Sequence, residues 1–328
     1  MFYTKMQRDR NVDFLKGVAI FLVVFGHAIQ FLSGPDYMFL THCTEKSIYL
    51  VHMPLFMFLS GYVSHSSLSA SVKTFLTKKC KQLLLPAIVW SFIYLVCKMA
   101  TGREEFCLST LLTKYIYAIE GYWFVIALFS CFIFLRLVLY GNMLLGNRNK
   151  VELYLVITSV FVVLLLPHNS LFVHMCIIFV KPMYPFFCLG YLCNKHDVIN
   201  RFVYNKKMLF LVCTVLYVMA CFMATRDSFI YYLDLDFWNN RYIWKDYSRL
   251  LFFVTSAVCG IIILFNMSET LLKNIRTEYI VEIGKYSLGI YLLQRIVFER
   301  FANLVLGGGN SQYALEIYNC TYFDNMSI

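Results

Sequence analysis

The sequence predicts an all-α polytopic membrane protein, with about nine to ten transmembrane helices in one bundle that fills residues 1–328 as a single domain. Three observations predict it. The chain is 60% hydrophobic and only 15% charged, with a mean hydropathy of +0.64, whereas soluble domains carry about 25% charged residues. Apolar stretches suited to the ~30 Å hydrocarbon core recur from end to end. Finally, the charge is distributed unevenly. Although the formal net charge is +10, Lys5, Arg8, Arg10, the Lys73–Lys81 cluster, Arg148, Lys150, Lys206 and Lys207 fall in alternate connections, and acids such as Glu104, Glu105, Asp227, Asp234, Asp236 and Asp246 fall in the others. That is the positive-inside pattern. It places the N-terminus in the cytoplasm, predicts a multi-pass protein of a cytoplasmic membrane with the bilayer as partner, and argues against nucleic acid.

The first expected span, 12–32, is long and apolar yet carries Asp13, Lys16 and His27. It is too long for a signal-peptide core and no small-residue cleavage site follows, so it is expected to be retained. The second, 48–64, is short and has Pro54 in its first turn, where a missing N–H costs nothing. The third, 83–100, follows the basic cluster Lys78, Lys79 and Lys81, and residues 106–120 fit a short re-entrant or interfacial helix. The fourth and fifth are 123–140 and 151–167. The sixth, 171–193, contains Pro182 and Pro185, which predict a kink or break.

Spans seven and eight, 208–225 and 249–266, are plain apolar segments, and the ninth, 281–298, is interrupted by polar residues. Between seven and eight, residues 226–248 mix aromatics, carboxylates and amides. Such a surface can face a sugar, or form an interfacial aromatic belt. The tail 306–328 is polar, carries Gly307-Gly308-Gly309, and is expected to be poorly ordered. Most of the twelve cysteines lie in apolar segments and act as small apolar residues, and no CxxC metal pattern occurs. No metal site is expected.

The chemistry concentrates in the first two spans. Lys16 and His27 are eleven residues apart, close to three turns and ~16 Å along a helix, so they share one stripe. Ionisable groups at membrane depth are costly and face a protein interior or a wet cavity. A cation one turn inside the cytoplasmic edge can hold the phosphates of an acyl-CoA while its pantetheine arm reaches His27, a residue suited to act as a base near neutral pH. The plainer reading has Lys16 snorkelling and paired with Asp13, and His27 bonded to a neighbouring helix. His52 opens the second span in the same half of the membrane as His27. The two histidines fit a base and its orienting partner. Ser60 and Gly61 fit close helix packing, and a zinc site from His27, His42 and His52 lacks supporting carboxylate or Cys spacing.

These residues carry a resemblance. Asp13-Phe14-Leu15-Lys16-Gly17 through Gly26-His27, then His52-Met53-Pro54-Leu55-Phe56 with Leu59-Ser60-Gly61-Tyr62, resembles the acyltransferase-3 family of bacterial integral-membrane O-acyltransferases. The likeness continues in register through Lys78-Lys79-Cys80-Lys81-Gln82 to Pro86, Gly121-Tyr122-Trp123-Phe124, Phe186-Phe187-Cys188-Leu189-Gly190-Tyr191 and Ser287-Leu288-Gly289-Ile290-Tyr291. The resemblance implies acetyl transfer from cytoplasmic acetyl-CoA, a co-substrate with no resident cofactor, to a hydroxyl of a surface polysaccharide or a lipid-linked glycan in the bacterial inner membrane. It implies His27 as the catalytic residue, with His52 beside it. Lys16, Asp13, Lys78, Lys79 and Lys81 would hold the donor, and Tyr122 and Trp123 the acceptor. The chain departs from the family pattern at several points. Lys16 stands where relatives carry Arg, Lys79 and Gln82 replace paired arginines, Gln294 stands where relatives often have His, and about nine spans replace ten or so.

A second class of function shares some features: a transporter or flippase of lipid-linked sugars. That class predicts charges scattered through several spans or recognisable repeat halves. The clustering of polar residues in spans one and two, behind a basic cytoplasmic mouth, favours an enzyme with a phosphorylated donor.

Overall fold

A computed structural model describes residues 9–32, 40–100, 107, 109–168, 177–204, 206–274 and 277–306. Among the described residues the chain is helical, with no strand. In order, the helices are α1 (Arg10–Leu32), α2 (Cys43–Tyr49), α3 (His52–Tyr62), the single turn α4 (His65–Leu68), α5 (Val72–Lys79), α6 (Leu85–Ala100), α7 (Leu111–Glu120), α8 (Trp123–Leu144), α9 (Asn149–Leu164), α10 (Ile177–Lys195), α11 (Lys207–Met223), α12 (Ile243–Asn274), α13 (Glu278–Lys285) and α14 (Ser287–Leu306). Four helical runs are long and apolar enough to cross a membrane: Arg10–Gln30, Val72–Ala100, Trp123–Leu144 and Ile243–Lys273. Their outward faces show large apolar side chains, such as Phe21, Phe92, Leu137 and Leu251. This is a membrane protein, and these faces meet lipid.

Several expected spans take other forms. The second is not one helix: α2 and α3 are separated at Leu50 and Val51, and the 11 residues of α3 reach only ~16 Å at 1.5 Å per residue. The third lengthens backwards, because α5 joins α6 through a wide π-turn at Cys80–Leu84. Pro86 follows directly and cannot donate to the preceding turn, and the extra residue of a π-turn absorbs that missing bond. The sixth runs as helix through both Pro182 and Pro185 without the expected break. Packing holds it together, since Val180, Lys181, Met183, Tyr184, Phe186 and Phe187 are all fully buried. The ninth divides at Tyr286 into α13 and α14. Residues 106–120 do contain a short helix, α7. The tail beyond Leu306 lies outside the described residues.

The short α3 lies at the centre, against α1, α10 and α12, and nine of its residues are buried. Two glycines let α3 and α10 touch at the backbone. A Cβ at Gly61 would run into the Phe187 carbonyl, and one at Gly190 into the Phe58 carbonyl. Small residues serve this purpose in membrane bundles, where close van der Waals approach replaces hydrophobic driving force. The α1–α13 crossing is built in the same way, with Gly17 against the Ile280 carbonyl and Gly284 against that of Asp13.

Polar networks close both ends of the bundle. At the Lys16 end, Arg10 pairs with Glu278, Arg136 donates to the Ala70 carbonyl at 2.8 Å, and buried Glu152 accepts from Lys195 at 2.5 Å, Tyr191 at 2.8 Å and Asn142 at 3.1 Å. At the other end, the segment 226–242 folds over the helices. Phe229 and Ile230 are buried, Lys181 donates to the Leu235 carbonyl at 2.5 Å, Trp238 Nε1 donates to the Leu165 carbonyl at 2.9 Å, and Arg249 bridges Asp227 and Asp246. His168 lies beside this segment, its Nδ1 3.6 Å from Asp234.

Two outcomes follow from this packing. Gly61→Ala is expected to destabilise the fold by about 1–3 kcal/mol through overpacking. Gly141→Ala, in a helix interior with open space around it, is expected to be neutral or to stabilise by up to about 1 kcal/mol; unfolding in detergent micelles reads both. The second concerns pH. Burial, and next the Lys181 charge, pull His168 from 6.5 to about 4, with Asp236 acting the other way. The unfolded chain therefore binds the extra proton in that window, and stability falls as pH drops from 6.5 towards 4. Thermal unfolding at about pH 7 and about pH 5 should show the loss, and His168→Gln should flatten it.

Candidate functional site

The site is built where α1 and α3 meet. His27 lies on α1, eleven residues beyond Lys16, and His52 is the first residue of α3, only 2% exposed. The break before α3 explains His52 locally. There the Ile48 carbonyl takes the Val51 N–H at 3.1 Å, and His52 Nδ1 also reaches back to it at 2.7 Å. A carbonyl only accepts, so Nδ1 carries the proton and Nε2 keeps its lone pair. The two histidines are near enough that a charge on His27 bears on His52. They lie within electrostatic reach of one another, on α1 and at the head of a broken segment rather than on two full spans.

Aromatic rings roof this pair. Tyr49 stands edge-on to His52 with centroids 4.7 Å apart, and its ring closes on Gly26, where a Cβ would sit 3.0 Å from it. Tyr231, from the 226–242 segment, approaches both Tyr49 and Trp123 at 6.2 Å. Trp123 stacks on Phe179 at 4.1 Å. The 226–248 stretch therefore has two parts: residues 229–236 plug the bundle above the histidines, while Trp238, Tyr242 and Trp244 are exposed.

The two expected acceptor residues separate here. Trp123 belongs to the roof. Tyr122 points elsewhere: it is fully buried, and its hydroxyl donates to the Leu292 carbonyl of α14 at 3.1 Å.

The expected donor residues also divide. Asp13 is buried, Lys16 half-buried and Lys79 buried, with its ammonium 3.5 Å from the Phe132 ring centre. The charges of Lys78 and, less strongly, Lys16 both bear on Lys79, so Lys16 lies within electrostatic reach of it. Lys78 and Lys81 are exposed on the outer side of α5 and the π-turn. Helical geometry makes this division: among residues 78–81 only one side chain faces the α8 side of the helix.

Three site neighbours were not singled out as site residues from the sequence alone. Gln294, buried on α14, lies within hydrogen-bonding reach of His27, and Phe298, one turn later, stands edge-on to it at 6.4 Å. Lys181, fully buried, ties the roof segment to α10. A lysine within an apolar, proline-containing run was the available signal for Lys181. Among the described residues no group of three or more His, Cys, Asp or Glu side chains is placed to hold a metal ion.

The acyltransferase-3 family profile, an acyltransferase domain, matches residues 9–318. Nodulation protein NolL of Mesorhizobium japonicum is 29% identical over 323 residues, covering 96% of this chain and 81% of that protein. Nodulation protein NolL of Sinorhizobium fredii is 28% identical over 315 residues, covering 92% and 81%. No solved structure matches.

Proposed function

The chain belongs to the acyltransferase-3 family, and we propose that it moves an acetyl group from cytoplasmic acetyl-CoA to a hydroxyl of a surface polysaccharide or a lipid-linked glycan. The observation that carries this reading is the meeting of two histidines from α1 and α3 under an aromatic roof, far along α1 from Lys16 and Lys79. In this reading the Lys16 end faces the cytoplasm, and a bundle of nine to ten spans sits in the inner membrane of a bacterium.

Lys16 and Lys79 repel one another until a polyanion lies between them, and the phosphates of coenzyme A are such a partner. Asp13, one turn before Lys16, steadies the local charge. Lysine binds phosphate as a point charge rather than as a fork, so the donor's head is held by attraction more than by direction. The pantetheine arm then follows α1 inward for ~16 Å, the helical distance from Lys16 to His27.

At the histidines, His27 takes the proton of the acceptor hydroxyl as its oxygen attacks the thioester carbonyl. The C–S bond breaks, the thiolate leaves, and it collects the proton from the imidazolium. The products are an acetyl ester and free coenzyme A. His52, with Nδ1–H committed to Ile48, presents Nε2 to this centre. Tyr231, half-buried in the roof and backed by Trp123, offers a ring face to a sugar.

His27→Ala is expected to lower kcat by about 10²–10⁴, with little change in the apparent affinity for acetyl-CoA. Lys16→Ala is expected to raise the KM for acetyl-CoA about tenfold, with smaller effects for Lys78→Ala and Lys81→Ala. Transfer from labelled acetyl-CoA in membrane vesicles, with mass spectrometry of the glycan, measures both. Full activity in a well-expressed His27→Ala protein would overturn the reading.

A further inference from the structure

We infer that Gln294 is a positioning residue for His27: its side-chain carbonyl accepts the imidazole N–H and so fixes which ring nitrogen is left to take a proton. This rests on the reading of His27 as the base. Four observations support it. Helix α14 packs along α1. Gln294 and Phe298 are one turn apart on α14 and so share a face, and Phe298 meets the His27 ring. Gln294 is within hydrogen-bonding reach of the same ring and only 6% exposed. Its Oε1 is buried, and no other donor among the described residues reaches it.

A buried amide oxygen requires a donor, and the imidazole beside it carries one. A neutral imidazole has one N–H and one lone pair. If Gln294 offers its oxygen, the facing nitrogen is N–H and the opposite nitrogen holds the lone pair, as a base must. If it offered its amino group instead, it would occupy the lone pair and leave His27 unable to accept a proton. The same polarity governs His52, whose Nδ1–H is held by the Ile48 carbonyl. Both rings are thus oriented by neutral oxygens. A carboxylate would orient them equally well, but an unpaired charge at membrane depth is costly.

The test compares Gln294→Met, which keeps the volume and removes the acceptor, with Gln294→Glu, which keeps the acceptor. With labelled acetyl-CoA, Gln294→Met should lose about tenfold or more in kcat, with KM for acetyl-CoA within about twofold, and Gln294→Glu should stay within about threefold of the parent kcat. A packing role reverses this order, because methionine fits a buried apolar site and glutamate does not. Gln294→Met at parent activity, or Gln294→Glu as impaired as Gln294→Met, overturns the inference.

A second readout is independent of acyl transfer: the rate at which diethyl pyrocarbonate modifies His27 in detergent, followed by peptide mass spectrometry. The rate should rise in Gln294→Glu and fall in Gln294→Met, and equal rates in all three proteins overturn the inference. If the parent transfers no acetyl group while that order of reactivity holds, the pairing stands and the function proposed above fails.

Discussion

The arrangement depends on the backbone contact between α3 and α10. Gly61 and Gly190 each lie against the other helix's carbonyl, at Phe187 and Phe58, with no room for a methyl group. This contact seats an 11-residue helix, too short to cross a bilayer, in the middle of the bundle. A short buried helix can begin in the protein interior, and its first residue is His52. Polar atoms enclosed there must then be satisfied by protein rather than by water, and the His52 ring finds its partner in the Ile48 carbonyl at the end of α2. The glycine crossing and the placement of a reactive side chain are therefore one structural fact.

A second constraint is the cost of charge. Several cations are tied down at the two ends of the bundle. Arg10, Lys79, Arg136 and Lys195 each contact a carboxylate, a carbonyl or an aromatic ring at the Lys16 end, and Lys181 and Arg249 tie down the roof at the other. Among the described residues, the polar groups that meet the two imidazoles include an amide, a phenol and a carbonyl, all neutral, while Arg295 beside Gln294 turns to the Ala118 carbonyl. Such a site can hold and release a proton without keeping a permanent charge in low dielectric. The roof plays the complementary part. Tyr231 and Trp123 cover the histidines, and covering a site strengthens the electrostatic interactions inside it.

Much of this was legible in the residues. His27 and Lys16 stood out because ionisable groups in an apolar run need a reason. The short second segment carried a histidine at its head, and the helical character of 106–120 was visible. Less legible was anything that turned on contact between distant segments. Of the kink or break expected at Pro182 and Pro185, the break does not occur, because six neighbouring side chains on α10 are fully enclosed and hold the helix across the missing bonds. Lys78, Lys79 and Lys81 looked equivalent in sequence, yet only Lys79 turns inward to Phe132 and Lys16. Gln294 attracted notice only as a departure from its relatives, since a single amide in an apolar helix gives no sign of what it will face.

By itself the sequence determined the chemistry available and the solvent it works in. Composition makes the protein a membrane protein, and the motifs from Asp13 to Tyr291 place it in its family, because hydropathy and residue type are properties of the chain alone. Tertiary structure decided which of those residues meet. Partnership of His27 with His52 and Gln294, separation of Trp123 from Tyr122, and selection of Lys79 from its neighbours all depend on how the helices pack against one another. Local pattern can fix which face of a helix is polar, but only packing fixes what that face touches.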